Sequence, residues 1–252
     1  MARIISVHSF RRGTGKSNLA ANLAVLLAAE GRRVGLVDLD IQSPSIHIPF
    51  GLDEAGLTCC LNDYLWGQGD ITQAVYNPAI RLAGQLFILP ASSDPAAITR
   101  LLQHSYDPVR LTDGLNHLVQ ALQLELLLID THAGLNEETL LSMALCDILT
   151  VVLRPDQQDY QGTGITIEVA RRLEVPRIMF ILNEMPLAFD FAQVKARVEQ
   201  VYQGQVAAIL PHVDEMMALA SADIFVLRYP DHPVSAALRQ AAALLADSPV
   251  PG

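Results

Sequence analysis

Ser9-Phe10-Arg11-Arg12-Gly13-Thr14-Gly15-Lys16-Ser17-Asn18 is the stretch that decides how this chain folds. An apolar run, Ile4-Ile5-Ser6-Val7, leads into it, and a helix-forming run, Leu19 to Ala29, leads away. Strand, glycine turn and helix in that order form the context of a phosphate-binding loop. Backbone N–H groups of Gly13 to Ser17, at the start of the helix, make a nest for the phosphates of a nucleotide. Lys16 is expected to reach the outer phosphates, and the Ser17 hydroxyl to sit on Mg²⁺. Thr14, Gly15 and Asn18 complete the expected contacts of the loop.

Composition narrows the class. The chain has 252 residues, of which 51% are hydrophobic and only 6% aromatic, which suits one large aliphatic α/β core. Its three cysteines, Cys59, Cys60 and Cys146, give neither a disulfide framework nor a metal spacing. No uncharged apolar run approaches the roughly eighteen residues of a membrane span, and no leader is expected. A cytoplasmic location follows as the expectation. The net charge is −10 and the only lysines are Lys16 and Lys195, so strong sequence-blind DNA affinity is not expected.

Apolar runs alternate with helical patterns along the chain, as in a parallel sheet covered on both faces. Strands are predicted at Arg3–His8, Val34–Asp38, Leu86–Leu89, Leu126–Asp130, Ile148–Leu153, Arg177–Leu182 and Ala207–Leu210. Helices are predicted between them, including Ser17–Glu30, Ala192–Tyr202 and one from about Val234 to Ala246. The prediction is a three-layer α/β sandwich with a mostly parallel, twisted sheet of about seven or eight strands. Residues 1–246 form one domain, followed by a flexible tail at 247–252. Right-handed crossovers place the loops after the strands on one edge, where ligands bind.

Four further segments fall on that edge. Asp38-Leu39-Asp40 follows the second strand, and Asp130-Thr131-His132-Ala133-Gly134 follows the fourth. A buried strand ending in a single aspartate, Asp130, suits magnesium held through water. Asn183 closes the sixth strand, with a donor and an acceptor to offer an adenine edge. Arg154-Pro155-Asp156 follows the fifth and reads first as a solvated turn.

In this order the motifs resemble the MinD/ParA family of P-loop ATPases, from Arg3 to about Leu245. The loop looks like that family's deviant Walker A box, KGGxGK[ST], with Gly13, Gly15, Lys16 and Ser17 matching. Arg11 stands where the family carries its signature lysine, and Arg12 replaces a glycine. By resemblance, Lys16, Asp40 and Arg11 are the catalytic set, Asp40 positioning the attacking water and Arg11 crossing to a partner's nucleotide. Ser17, Asp38 and Asp130 make up the magnesium environment. Asn183 and Pro211 approach the base, and Arg154 is a second candidate for the partner's phosphates. His132, at a proline of the family's switch segment, is expected to act through its backbone.

The resemblance implies ATP and Mg²⁺ as cofactors and slow, partner-stimulated hydrolysis. It implies an ATP-dependent homodimer, an activating or cargo-adaptor partner and a role in intracellular positioning or partitioning, with a lean to the carboxysome-positioning McdA group. Nonspecific DNA, met by Arg171, Arg172, Arg197 and Arg228, is a further candidate partner. The final helix carries a single positive residue, Arg239, so direct membrane binding is not expected. Missing cysteine pairs and a missing tyrosine cluster set aside the iron–sulfur carrier, reductase and kinase relatives. Two other classes stay open. One is a ligase of the dethiobiotin-synthetase fold, with Phe10 and Arg12 lining a substrate pocket. The other is an adaptor that binds nucleotide without hydrolysing it.

Overall fold

The computed structural model describes residues 2–53, 56–104 and 106–247. The expected tail, beyond Asp247, lies outside the described residues. Seven strands, β1 (Arg3–His8), β2 (Arg33–Asp38), β3 (Gln85–Leu89), β4 (Leu126–Asp130), β5 (Ile148–Leu153), β6 (Arg177–Met185) and β7 (Gln205–Pro211), form one sheet. Its order is β3-β2-β4-β1-β5-β6-β7, and every pairing is parallel.

Alternation along the strands sorts the side chains between two faces. On β4, Leu126 and Leu128 face one layer while Leu127 and Ile129 face the other. On β6, Met179 and Ile181 turn towards the first layer, Phe180 and Leu182 towards the second. The first layer is built on α1 (Lys16–Ala29) and the C-terminal helix Pro233–Asp247. The opposite face is covered by α2 (Leu61–Leu65), α3 (Pro95–Gln103) and α4 (Pro108–Ala121) on the β3 side, and by α5 (Glu137–Leu145), α6 (Gln157–Arg172) and α7 (Phe191–Tyr202) towards the β7 side. Helix α1 is buried over nearly its whole length because alanines at 20, 21, 24 and 28 let the sheet and the last helix approach from two sides. The C-terminal helix spends its apolar face, Val234, Leu238, Ala242 and Leu245, on that same core. Among the described residues no helix is long and apolar enough to cross a membrane.

The chain leaves β1 for β2, returns through β4 to β1's side, and then builds β5 to β7 on the other flank. Strand order reverses around β1, so a crevice opens beyond its C-terminal end, which leads into Ser9–Asn18. β6 and β7 run further than the sequence predicts, β7 spanning Gln205–Pro211. β6 continues to Met185, through a register shift against β7, with Glu184 at φ 54°. Asn183 therefore sits inside the strand and is buried.

Candidate functional site

Residues 9–18 wrap the end of β1 and enter α1 through Gly15, whose φ of 82° is left-handed. Only glycine takes that conformation at low cost. A second constraint acts at the same position: a Cβ there would stand 2.5 Å from Asn183 Nδ2. Asn183 donates to the Thr14 carbonyl at 2.9 Å, so the residue expected to meet an adenine edge braces the phosphate loop from below. The cleft above the loop holds about 250 Å³ and is lined by Arg12 to Asn18 together with Ser9, Asp40, Ser43, Ala133 and Ser221.

Parallel register sets Asp38 directly beside Asp130, with both carboxylates fully buried. Burial, then the charge of Asp130, pushes the Asp38 carboxyl up to about 7, against the pull of backbone N–H groups. Those N–H groups belong to Ser45 and Ile46, at 2.8 and 3.0 Å from Oδ2, while Oδ1 accepts from Asp40 N at 3.1 Å. Asp38, expected near magnesium, thus spends its oxygens on shaping the loop that carries Asp40. Burial also raises the Asp130 carboxyl, opposed by Lys16, whose Nζ lies 2.5 Å from Oδ1. Lys16 Nζ also donates to the Ser17 hydroxyl at 3.3 Å. Among the described residues no partner reaches the buried Asp130 Oδ2. A hydroxyl and an unspent carboxylate oxygen at the foot of a phosphate loop suit a hard, oxygen-seeking cation such as Mg²⁺.

A second ionic cluster lies outside the cleft. Arg11 pairs with Asp156 at 3.0 Å and with Asp159 at 3.5 Å. Arg154 shares both aspartates at 3.7 Å and reaches Glu184 at 3.6 Å. Asp156 caps α6, and its carboxyl lies below the usual range chiefly because the Asp159 N–H donates to it, with Arg11 and Arg154 adding to the effect. Phe10 does not line the cleft. It lies across Gly162 of α6, where a Cβ would fall 1.9 Å from its ring. The ligase alternative thereby loses one of its two expected pocket walls.

Several residues at this edge make contacts that their sequence context does not announce. His132 is not a bystander to its own backbone: its Nδ1 lies 2.6 Å from Asp40 Oδ1 and its Nε2 lies 3.2 Å from Arg12. His8 is fully buried under the loop, with Nδ1 2.9 Å from Thr131 Oγ1, and burial followed by Lys16 lowers its pKa to about 3. Ser221 enters the cleft because Ala220 and Ser221 are both left-handed, and Asn18 reaches it at 3.5 Å. Asn22 locks that segment to α1 by accepting from Val226 N at 2.9 Å. Pro211 ends β7 opposite Met185, and neither lines the cleft. Of the arginines named for DNA, Arg171 donates to the Tyr202 carbonyl and Arg172 pairs with Glu168. A larger groove, about 600 Å³ between α6 and α7, is lined by Tyr160, Val194, Arg197 and Tyr202 and holds none of the residues above the loop.

Comparison with known proteins gives a consistent result. A family model described as an AAA domain matches residues 2–175. An uncharacterised ATP-binding protein of Methanocaldococcus jannaschii is 32% identical over 248 residues, 97% of this chain and 88% of the relative. Among solved structures, the cell division ATPase MinD of Pyrococcus furiosus superposes with a TM-score of 0.81 at 24% identity, covering 96% of this chain and 98% of that one. The septum site-determining protein MinD of Pyrococcus horikoshii, complexed with Mg-ADP, gives 0.81 at 24% identity over 98% and 97%.

Proposed function

This chain belongs to the MinD/ParA family of P-loop ATPases, and from that premise we propose that it is a slow, ATP-hydrolysing dimerisation switch that positions or partitions a cargo. One observation carries the reading: the glycine loop, Lys16, Ser17 and Asp40 line a single cleft, and Lys16 reaches from it to the buried Asp130. The loop N–H groups and the α1 N-terminus hold the phosphates of ATP, and Lys16 balances their charge. Ser17 and Asp130 would hold Mg²⁺, which would supply countercharge to the phosphates. Asp40 orients the attacking water.

Arg11 carries the contact between subunits. In one chain it is held by Asp156 and Asp159; in a face-to-face dimer it exchanges them for the partner's phosphates, with Arg154 remaining to balance the two aspartates. The cargo and the activating protein are matters for its cellular partners, and the acidic net charge favours a protein surface over bare DNA.

Light scattering on the Asp40→Ala protein with ADP and with ATP tests this. Monomer with ADP and dimer with ATP is the expected result. Monomer in both removes the switch. ATP binding without ADP release by the wild-type protein would turn the weight to a non-hydrolysing adaptor.

A further inference from the structure

Two departures from the family's pattern, Arg12 in the loop and His132 after β4, meet in space. His132 Nδ1 lies 2.6 Å from Asp40 Oδ1, and Arg12 Nη2 lies 3.2 Å from His132 Nε2. His132 and Asp40 are both more than nine-tenths buried, while Arg12 is exposed at the mouth of the cleft. The three residues come from the phosphate loop, the loop after β2 and the loop after β4. They form a chain that crosses the cleft.

The chemistry of the donors fixes the protons. A guanidinium has no acceptor, so Arg12 can only donate, and the Nε2 it meets must carry a lone pair. The ring proton therefore sits on Nδ1 and points at the Asp40 carboxylate, a short charge-assisted bond. Oδ1 also accepts from Ser43 N at 3.1 Å. Among the described residues no protein donor reaches Oδ2, the oxygen left to meet a water. A carboxylate held at one oxygen by two donors presents the other in a single orientation.

We propose that His132 is a positioning residue for Asp40 and that Arg12 acts through it by fixing its tautomer. This rests on the reading of Asp40 as the group that orients the attacking water. Without Arg12 the neutral ring is free to place its proton on Nε2 and leave Asp40 with a single donor, Ser43 N. Without His132 the carboxylate can swing away from the water. Neither change touches the phosphate nest, so the effect falls on turnover and not on ATP affinity.

The experiment measures kcat and KM with Mg·ATP for the wild type and for Asp40→Ala, Arg12→Ala, His132→Ala and His132→Asn, each checked by thermal melting. An asparagine amide places a donor where Nδ1 stood and has no tautomer to choose. His132→Ala should lower kcat on the order of 10- to 100-fold, and Arg12→Ala about 3- to 10-fold, both with KM nearly unchanged. His132→Asn should recover to within about threefold of the wild type, and adding Arg12→Ala to it should cost nothing more. Nitrogen-15 spectra, assigned by the loss of one signal in His132→Asn, should show the Nδ1–H tautomer and its mixing with Nε2–H in Arg12→Ala.

Wild-type kcat in His132→Ala, while Asp40→Ala is inactive, would overturn the proposal and leave the ATPase reading standing. A raised KM with unchanged kcat in Arg12→Ala would do the same, by making Arg12 a phosphate ligand. An Nε2–H tautomer in the wild-type spectrum would overturn it without reference to turnover. Asp40→Ala with wild-type turnover would sink the parent reading, and this proposal with it.

Discussion

Two aspartate clusters flank the phosphate loop, and they are built in opposite ways. Inside, Asp38 and Asp130 stand side by side with no exposure and are met by Lys16, itself 6% exposed. Outside, Asp156 and Asp159 are met by Arg11 and Arg154, whose side chains are 35% and 27% exposed. Desolvation raises both inner carboxyls, whereas hydrogen bonding and nearby guanidinium charge lower that of Asp156. The inner cluster is a fixed electrostatic device in which removing one member strands another. The outer one is a set of exchangeable partners, which suits the proposed transfer of Arg11 to a partner's phosphates.

Lys16→Ala breaks the inner cluster most severely. It leaves Asp130 buried beside Asp38 with no cation, the situation in which a buried pair costs about 3–5 kcal/mol. Urea denaturation at pH 8 should show that loss, and ATP binding should fall below detection by calorimetry. At pH 5 the loss should be smaller, because burial raises both carboxyls and a carboxyl that gains a proton no longer needs a cation. A loss under about 1 kcal/mol at pH 8 would mean that the inner and outer clusters do not differ in kind.

His8 tests the same desolvation from the loop's underside. Its pKa falls from 6.5 to about 3 on folding, chiefly through burial. Between those values the unfolded chain binds a proton that the folded chain refuses, so this group's contribution to stability declines as pH drops from 6.5 towards 3. Asp38 works the other way, since a carboxyl raised from 3.8 to about 7 favours the folded state as pH falls through 7. His8→Asn keeps a donor for Thr131 and removes only the first effect. Its melting temperature should match the wild type at pH 7 and exceed it at pH 4.5, by a stability difference of about 1–3 kcal/mol. Parallel pH profiles for the two proteins would show that His8 is not the desolvated group.

The difference between the two clusters also explains what the sequence made legible. Strand ends carrying Asp38, Asp130 and Arg154 follow from short continuous apolar runs, and β1, β4 and β5 lie where their residues predict. Lys16 is marked by its glycines. Contacts between loops carry no such pattern. Nothing local says that His132 Nδ1 meets Asp40, because the two are 92 residues apart and joined only by the parallel register of β2 and β4. Asn183 is legible as a polar residue ending an apolar run, but its aim at Thr14 depends on β6 continuing past Leu182. Ser221 gives no sign at all, since its entry into the cleft comes from two left-handed residues that are not glycine.

Phe10 and Gly162 form the seam between the clusters. The ring covers the glycine so closely that a methyl group would overlap it. Gly162→Ala should cost about 1–3 kcal/mol by overpacking, despite the better helix propensity of alanine. Combining it with Phe10→Ala should cost less than the sum of the two single changes, because the clash needs both partners. Additive losses would place the glycine's role elsewhere, in the helix backbone.

The smallest effect is expected at Arg11. Arg11→Ala removes one of two half-exposed guanidinium groups from a cluster in which only Asp159 is buried, and leaves Arg154 on both aspartates. It does not disturb the cap, because Asp156 Oδ1 still accepts from Asp159 N at 2.9 Å. Stability should change by less than about 1 kcal/mol, and less still in high salt. Asp156→Ala removes cap and ion pair together and should cost about 1 kcal/mol more than Arg11→Ala. If Arg11→Ala proved as damaging as Lys16→Ala, Arg11 would be a structural member of its own chain, with no charge free to leave its aspartates for a partner.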